Sequence, residues 1–305
     1  HQDHPYYQTN LDWYNFDNLN SNNLFLPALD LSNEELIRKI TLDAAYWIEQ
    51  FNINGLFMNV NHTLSQAFVK DYNESLKPSN SKNIFQSIKF SDSFDMTPEF
   101  VHPLGFNSEM NFDLYLKARE HFSQDSSDFV QFNEFIKSHL ETHSSINLMS
   151  TFTGIDNEPR FISVADGQAQ YNDNLSIDLS DIPDKITNPV NYEKLFMFTV
   201  MNNSLPGIPM IYYGEEYGQV GGSEFDSKRD MKFQNELSIL ESYLKDRVSK
   251  LNLLRKEYPS LSIGDLMVLR ESKHFTAWLK SYYNEKILIL FNLQDKIIEK
   301  NISLP

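Results

Sequence analysis

Short apolar runs typical of buried strands alternate with longer stretches of helical periodicity, and this alternation constrains the fold more than any other feature. Leu56–Val60 predicts a buried strand between a helix that begins after Ser32 and a helical stretch over Leu64–Leu76. The same order recurs as far as Ile208–Tyr213, and each strand–helix unit is longer than about 30 residues, as a parallel crossover requires. The pattern therefore predicts a parallel β/α architecture with buried strands.

The remaining elements follow from the same two periodicities. Further strands are predicted over Asn83–Phe90 and Ile146–Phe152, and further helices over 110–122, 129–143, 192–200 and 236–256. In the helix that begins after Ser32, Trp47 falls on the apolar stripe and is predicted to be buried. From Leu261 onwards, short strands joined by polar turns predict a small antiparallel β domain, and the Asn- and Asp-rich stretch 166–191 predicts a surface loop.

Charge and composition exclude several classes of function. The chain carries 26 Lys and Arg residues against 42 Asp and Glu residues, a formal net charge of −16, which argues against a general nucleic-acid binder. No window approaches ~20 uninterrupted apolar residues, so no membrane span is predicted. Cysteine is absent, which excludes thiol catalysis and thiolate metal sites. We expect a soluble acidic protein. His1–Asn10 shows no signal-peptide pattern, and the compartment stays open between cytoplasmic, periplasmic and extracellular.

Four segments of the chain share a distinctive pattern. Leu205–Glu216 reads LPGIPMIYYGEE, which resembles the strand-eight segment LPGIPMIYYGDE of the α-amylase superfamily, glycoside hydrolase family 13. Ile53–Asn59 (INGLFMN), Asn83–Lys89 (NIFQSIK) and Thr153–Phe161 (TGIDNEPRF) resemble the strand-four, strand-five and strand-seven motifs of the same family. The resemblance is strongest to the cyclomaltodextrinase and neopullulanase branch, and it extends over essentially the whole chain.

This resemblance implies a fold. The chain would be the C-terminal portion of a (β/α)8 TIM barrel, strands four to eight, followed by a small antiparallel β-sandwich domain. Residues 1–32 would be a remnant of the loop called domain B, residues 33–260 the partial barrel and residues 261–305 the C-terminal β domain. The first three strands of the family have no counterpart here. Because five parallel strands cannot close a barrel, we expect the missing N-terminal half, in the same or another chain, to complete the sheet.

The resemblance also assigns three catalytic positions, and none of them holds a carboxylate. The family's strand-four nucleophile, strand-five acid/base and strand-seven sugar-binding carboxylate correspond to Asn59, Ser87 and Asn157. A retaining glycosidase needs two carboxyl groups about 5–5.5 Å apart. A neutral amide lacks the charge to attack an anomeric carbon, and a serine hydroxyl is too weak an acid to protonate a leaving oxygen. The sequence therefore predicts that hydrolysis has been lost.

Two neighbours of these positions differ from the family as well. Phe57 replaces the arginine that stands two residues before the nucleophile, and Asp156 stands where the strand-seven motif has His or Gln. A buried arginine without its carboxylate is costly, so replacing both by neutral residues relieves an unpaired buried charge. The pattern indicates a site that degenerated by descent.

The resemblance implies a protein of α-glucan metabolism, and the residues favour a catalytically inactive glucan binder. Sugar rings stack on aromatic faces, and the predicted contacts with a maltooligosaccharide are Trp13, Tyr14, His62, Arg160 and Tyr212. Two alternatives remain open. One is a structural or interaction scaffold built on the same fold, and the other is an active hydrolase in which Asp156 pairs with Asp92 or Asp95.

No cofactor and no metal is predicted. His139 and His143 are four residues apart on a helix, which could place two imidazoles on one face, but no third ligand is evident and an exposed polar face is the simpler interpretation. His1, Asp3 and His4 are likewise interpreted as a polar segment rather than a metal site.

Overall fold

The computed structural model describes residues 4–15, 28–60, 66–76, 85–90, 106–124, 127–143, 149–156, 158–169, 182–222 and 226–305, with the backbone alone at 59, 60, 66, 75, 85–90 and 143. The chain divides into two compact units, His1–Met110 and Asn111–Pro305. Each unit has a parallel sheet of its own.

The first unit is built around a three-stranded parallel sheet. Its described elements are α1 Pro5–Thr9, β1 Tyr14–Asn15, β2 Ala28–Leu29, α2 Glu34–Phe51, β3 Gly55–Val60, α3 Gln66–Leu76, β4 Phe85–Phe90 and β5 Ser108–Glu109. The strand order is β3-β4-β5, with Gly55 opposite Phe85 and Ser87 opposite Ser108. β1 and β2 pair with each other in antiparallel fashion. The predicted alternation of parallel strands and helices is confirmed in this unit.

Helix α2 is delimited by two asparagines. The Asn33 side chain accepts a hydrogen bond from the Leu36 amide (3.0 Å), which satisfies one of the free N–H groups of the first turn. Asn52 ends the helix in the left-handed conformation (φ 50°) that asparagine tolerates. The helix packs with α3 and β3 around one apolar core, formed by Ile37, Ile48, Phe68, Val69, Tyr72, Leu76 and Phe106.

The prediction that Trp47 is buried is wrong. Trp47 continues the stripe of Ile40 and Ala44, which pack against this core, yet 54% of its surface is exposed. Phe51, one turn further on, is 60% exposed. A helical stripe is buried only where a neighbouring element lies against it, and the last turn of α2 is left largely uncovered.

The second unit combines a parallel strand pair, helices and a C-terminal sheet. Its described elements are α4 Phe112–Ser123, α5 Phe129–His143, β6 Ser150–Phe152, α6 Phe161–Ala165, α7 Val190–Ser204, β7 Ile208–Met210, α8 Ile239–Glu257, α9 Pro259–Ile263, β8 Asp265–Ser272, β9 Phe275–Tyr282 and β10 Glu285–Asn292. β6 pairs with β7 in parallel, from Ser150 opposite Ile208 to Phe152 opposite Met210. The strand predicted over Ile208–Tyr213 is therefore too long, because the ladder with β6 ends at Met210.

Gly207 controls how the chain enters β7. Its φ of +121° lies in the region that L side chains rarely adopt, and a Cβ atom there would collide with the carbonyl oxygen of Met149. The Ile208 amide donates to that same carbonyl (2.9 Å), so the two segments approach closely just before the parallel ladder begins. Glycine is therefore required at this position.

The last three strands form the antiparallel sheet that the sequence predicts, in the order β10-β9-β8. The central strand packs against α5 through satisfied polar groups. Trp278 Nε1 donates to Asn133 Oδ1 (2.9 Å), and Asn133 Nδ2 donates to Thr276 Oγ1 (3.0 Å). The α/β chain with a C-terminal antiparallel sheet is confirmed, whereas the partial barrel stays a prediction.

The division of the chain into residues 1–32, 33–260 and 261–305 also stays a prediction. The boundary between the two compact units falls between Met110 and Asn111, inside the second predicted segment. Of the helices in the described ranges, none is long and apolar enough to cross a membrane.

His121 on α4 is a buried imidazole in an aromatic cluster. Its ring stacks on Phe132 (centroids 4.2 Å apart, interplanar angle 9°) and contacts Phe122 and Phe129. Burial, aided by the positive charge of Lys117 and opposed by the negative charge of Asp128, lowers the pKa of His121 to about 3. The imidazole is therefore neutral in the folded chain across the physiological range.

His121 should make the fold sensitive to acid. Because its folded pKa lies below the ordinary value of 6.5, the unfolded chain binds a proton that the folded chain does not between pH 6.5 and about 3. We expect the His121 contribution to stability to be lost over that window at about 1.4 kcal/mol per pH unit. Urea unfolding at pH 7.0, 5.5 and 4.5 should show a steeper loss for the wild type than for His121→Phe. Parallel pH profiles for the two proteins would contradict the assignment.

Candidate functional site

Arg160 is buried in the second unit, where the segment after β6 meets the turn after β7. It directly precedes α6 and is 1% exposed. Its Nε and Nη2 atoms donate to the Ser227 carbonyl (2.9 and 2.7 Å), and Nη1 donates to the Tyr213 carbonyl (2.6 Å). These bonds use the planar donor geometry of a guanidinium to join three separate segments of the chain.

Glu215 provides a buried countercharge. Its Oε1 atom lies 3.4 Å from Arg160 Nη1, and the residue is 3% exposed. Oε2 has no hydrogen-bond partner within the described ranges. Burial raises the pKa of the Glu215 carboxyl above its ordinary value, although the positive charges of Arg160 and Arg119 act in the opposite direction. The ion pair therefore does not recover the full cost of burying its carboxylate.

Gly154 makes room for this carboxylate. A Cβ atom on Gly154 would lie 2.6 Å from Glu215 Cδ and 2.6 Å from Oε1. The close approach explains why the segment after β6 has glycine here: any side chain would displace Glu215 from Arg160.

Two tyrosines lie over the guanidinium of Arg160. Its Cζ atom is 4.5 Å from the ring centroid of Tyr212 and 4.8 Å from that of Tyr213, distances typical of cation–π contacts. The Tyr213 hydroxyl donates to the Arg229 carbonyl (3.0 Å), and both tyrosines remain partly exposed. Burial raises the pKa of Tyr212, Arg160 opposes the shift, and Tyr213 and Asp156 add to it. Tyr212 thus presents a partly accessible aromatic ring that the Arg160 guanidinium supports. Asp156 is close enough to act on Tyr212 electrostatically.

The two degenerate positions of the first unit lie on neighbouring parallel strands. Ser87 on β4 is the backbone partner of Phe57 on β3, and Asn59 is the partner of Lys89. Position 87 therefore lies opposite position 57, two residues before Asn59, on the neighbouring strand. Phe57 is 43% exposed. Asn157 lies outside the described residues, so the convergence of the three positions stays a prediction.

The other predicted sugar contacts lie in different surroundings. Trp13 is 6% exposed, with its ring beside that of Tyr6 (centroids 5.7 Å apart). Tyr14 is half-buried next to Tyr7 (5.3 Å). His62, Asp92 and Asp95 lie outside the described residues. As a ligand contact, Trp13 would offer only the small part of its surface that remains accessible.

The expectation that His139 is exposed is wrong. His139 is buried, its Nε2 atom lies 2.9 Å from Asn111 Nδ2, and its ring stacks on Phe135. The side chains of His1, Asp3 and His143 are not among those described. Within the described ranges no three His, Cys, Asp or Glu residues are grouped so that they could hold a metal ion.

Sequence reasoning missed Glu215 and Ser227 as partners of Arg160. Acidic residues close to Arg160 in sequence, Asp156 and Glu158, and the two that end the run Tyr212–Glu216 were all candidate partners of its charge. The sequence alone could not choose among them. No comparable signal identifies Ser227, which contributes only its backbone carbonyl.

Parallel strands followed by helices, with polar and aromatic residues on the segments after the strands, define a β/α protein of the class that binds ligands at the carboxyl ends of its strands. Residues 12–250 match the family Alpha-amylase, described as the catalytic domain of alpha amylase. The chain belongs to this family. Its relatives are consistent with the cyclomaltodextrinase-like branch.

The chain is similar to two cyclomaltodextrinases. It is 25% identical to that of Thermoanaerobacter pseudethanolicus over 89% of this chain, and 22% identical to that of Geobacillus thermopakistaniensis over 90%. Each alignment spans only 42% of the relative's own length. Among solved structures, the α-amylase of Geobacillus thermoleovorans in complex with acarbose superposes with a TM-score of 0.68 at 22% identity, over 94% of this chain and 62% of that one. The structural similarity supports the α-amylase-type fold.

Proposed function

We propose that this chain is a catalytically inactive α-glucan-binding protein of the α-amylase family. The observation that carries the proposal is the residue set Asn59, Ser87 and Asn157, which by the motif resemblance corresponds to the family's three carboxylates. None of the three side chains can supply a negative charge or a strong general acid at neutral pH.

The loss of these groups is a loss of transition-state stabilisation. Two carboxyl groups normally share the nucleophilic and proton-transfer work in glycoside hydrolysis. Enzymes supply about 8–23 kcal/mol of barrier reduction, and an amide and a hydroxyl cannot perform either carboxylate role. The rest of the motif framework is retained around Arg160 and Tyr212, which agrees with selection for the fold and its surface rather than for turnover.

Tyr212 is the contact with the best physical support. It is partly exposed, its ring is supported by the Arg160 guanidinium, and it lies near Asp156, whose carboxylate could accept sugar hydroxyl hydrogen bonds. Two relatives are named for activity on cyclomaltodextrins and a structural neighbour was solved with acarbose, so a maltooligosaccharide is the natural ligand class to test. The Arg160 guanidinium donates its hydrogen bonds to acceptors within the protein. Its predicted role in ligand binding would therefore be indirect, through its contact with the Tyr212 ring.

A calorimetric titration of maltoheptaose into the chain tests the binding half of the proposal. We expect a saturating heat without slow drift, and at least about a tenfold weaker affinity for Tyr212→Ala, a loss of about 1.4 kcal/mol or more. Tyr283→Ala, at a turn residue that is 87% exposed, is the matched control and should bind as the wild type does.

The other outcomes of this titration separate the alternatives. A continuing heat from turnover would contradict inactivity and favour relocated carboxylates such as Asp156. An absence of heat in a folded chain would contradict glucan binding and favour the scaffold role.

A further inference from the structure

Arg229 joins two segments of the second unit through its guanidinium. Its Nε and Nη2 atoms donate to the two carboxylate oxygens of Asp226 (2.6 and 2.9 Å), the bidentate geometry that an arginine and a carboxylate favour. Nη1 donates to Asp184 (2.5 Å), and Nη2 also donates to the Ile182 carbonyl (2.7 Å). The segment 226–229 is therefore bonded both within itself and to residues 182–184.

The same segment contacts two residues that support Tyr212. The Ser227 carbonyl accepts hydrogen bonds from Nε and Nη2 of Arg160, whose guanidinium lies against the Tyr212 ring. The Arg229 carbonyl accepts a hydrogen bond from the Tyr213 hydroxyl (3.0 Å). The Tyr213 ring in turn packs edge-on against that of Tyr212, with the centroids 4.8 Å apart. Two backbone carbonyls, two residues apart, thus bond two side chains that contact the Tyr212 ring.

Asp226 is the main partner of the Arg229 side chain. The side chains of Asp226 and Arg229 are 12% and 20% exposed, whereas that of Asp184 is 87% exposed. Because solvent screens an exposed ion pair, the contact with Asp184 contributes little. Asp226 also begins the one-turn 3-10 helix Asp226–Lys228. The ion pair therefore closes the turn that places the Ser227 and Arg229 carbonyls.

We propose that Arg229 is a positioning residue for the sugar contact Tyr212. Its ion pair with Asp226 closes the turn and so places the two carbonyl groups. These carbonyls hold Arg160 and Tyr213, which keep the Tyr212 ring in one orientation. A ring that is ordered before the ligand arrives costs less to immobilise on binding, so the affinity rises without a new contact. This inference rests on the proposed glucan binding and gives Arg229 an indirect role in it.

The maltoheptaose affinities of three variants test the positioning role. Tyr213→Phe keeps the ring but removes the hydroxyl that donates to the Arg229 carbonyl, and Arg229→Met removes the ion pair. Each should weaken the affinity measured by calorimetry about three- to tenfold, as expected when about one side chain must be ordered on binding. Because both substitutions act on the same ring, the double variant should bind no more weakly than Arg229→Met alone, whereas independent losses would multiply. Circular dichroism should show that the variants are folded, and a loss of stability alone would not change the affinity of a folded chain.

Arg247→Met is the matched control. The Arg247 side chain is 24% exposed, pairs with Glu193 (2.5 Å) and lies over the Phe196 ring (3.7 Å). Its ion pair joins α7 to α8 and not the turn that places the two carbonyls. Arg247→Met should therefore bind maltoheptaose as the wild type does. Equal weakening by Arg247→Met and Arg229→Met would overturn the inference, by showing that the loss of any ion pair loosens the unit.

The remaining outcomes separate this inference from the proposed function. A wild type that binds no maltoheptaose, or an affinity that Tyr212→Ala leaves unchanged, would contradict the proposed sugar contact itself. If the wild type binds through Tyr212, unchanged affinities in Tyr213→Phe and Arg229→Met would overturn the positioning role alone. Losses that multiply in the double variant would also overturn it, since Arg229 would then act independently of Tyr213. If Arg229→Met does not fold, Tyr213→Phe decides: a weaker affinity supports the inference and an unchanged one overturns it.

Discussion

Arg160→Met is expected to lower the free energy of unfolding by about 3–5 kcal/mol, the range found when one partner of a buried ion pair is removed. The substitution leaves Glu215, which is 3% exposed, without its ion-pair partner, and it removes the Arg160 donors from the carbonyls of Ser227 and Tyr213. Methionine has a similar length and no charge, so loss of packing contributes little. Urea denaturation followed by circular dichroism measures the effect.

The double variant Arg160→Met/Glu215→Gln separates charge from hydrogen bonding. Removing both charges should restore part of the stability, because burial already raises the pKa of Glu215 and the carboxylate is then no longer buried unpaired. A coupling of at least about 1 kcal/mol between the two sites is expected. Additive effects of the two substitutions would show that Arg160 acts through the carbonyls alone.

Gly207→Ala should be the second most damaging substitution, with an expected loss of about 2–4 kcal/mol from backbone strain and steric conflict. At φ +121° the new methyl group would collide with the Met149 carbonyl, where β6 and β7 begin their ladder. Gly167→Ala is the matched control, since Gly167 also has a positive φ (+72°) but open space around its Cβ position. Thermal unfolding of the two variants should differ clearly. Equal destabilisation would mean that φ alone, and not the approach to Met149, makes glycine necessary.

Local sequence signals predicted the elements well where each element is self-contained. α5 occupies Phe129–His143 as predicted, and the three C-terminal strands lie within the stretch predicted to form a small antiparallel β domain. The predictions failed where contacts between residues distant in sequence determine burial or the length of a strand. The stripe on α2 predicted a buried Trp47, but periodicity cannot show whether a neighbour is present. β7 ends at Met210 because β6 ends, a fact about pairing that the apolar run Ile208–Tyr213 does not contain.

Some residues of the candidate site could likewise be predicted from the sequence, and others could not. The motif resemblance identified Arg160 and Tyr212, and the structure shows that both belong to one cluster. It could not identify Ser227, since a backbone carbonyl acceptor leaves no trace in residue type. His139 was misjudged because its partner, Asn111, is distant in sequence. The register of β3 and β4 relates positions 59 and 87 through the backbone, which the sequence motifs alone could only suggest.

Arg160, Glu215 and Gly154 have a packing and charge-pairing role within the second unit. Under the proposed function, a fold that has lost hydrolysis would still need these three residues, whereas Asn59 and Ser87 would mark where the catalytic groups were lost.

The most direct test of inactivity is product analysis of maltoheptaose incubated with the purified chain for a day, by mass spectrometry of the oligosaccharides. We expect maltoheptaose alone, at every pH between 5 and 8, because under the proposed function Asn59, Ser87 and Asn157 replace the three catalytic carboxylates. The accumulation of shorter maltooligosaccharides, and its disappearance in Asp156→Asn, would contradict the account and assign catalysis to a relocated carboxylate.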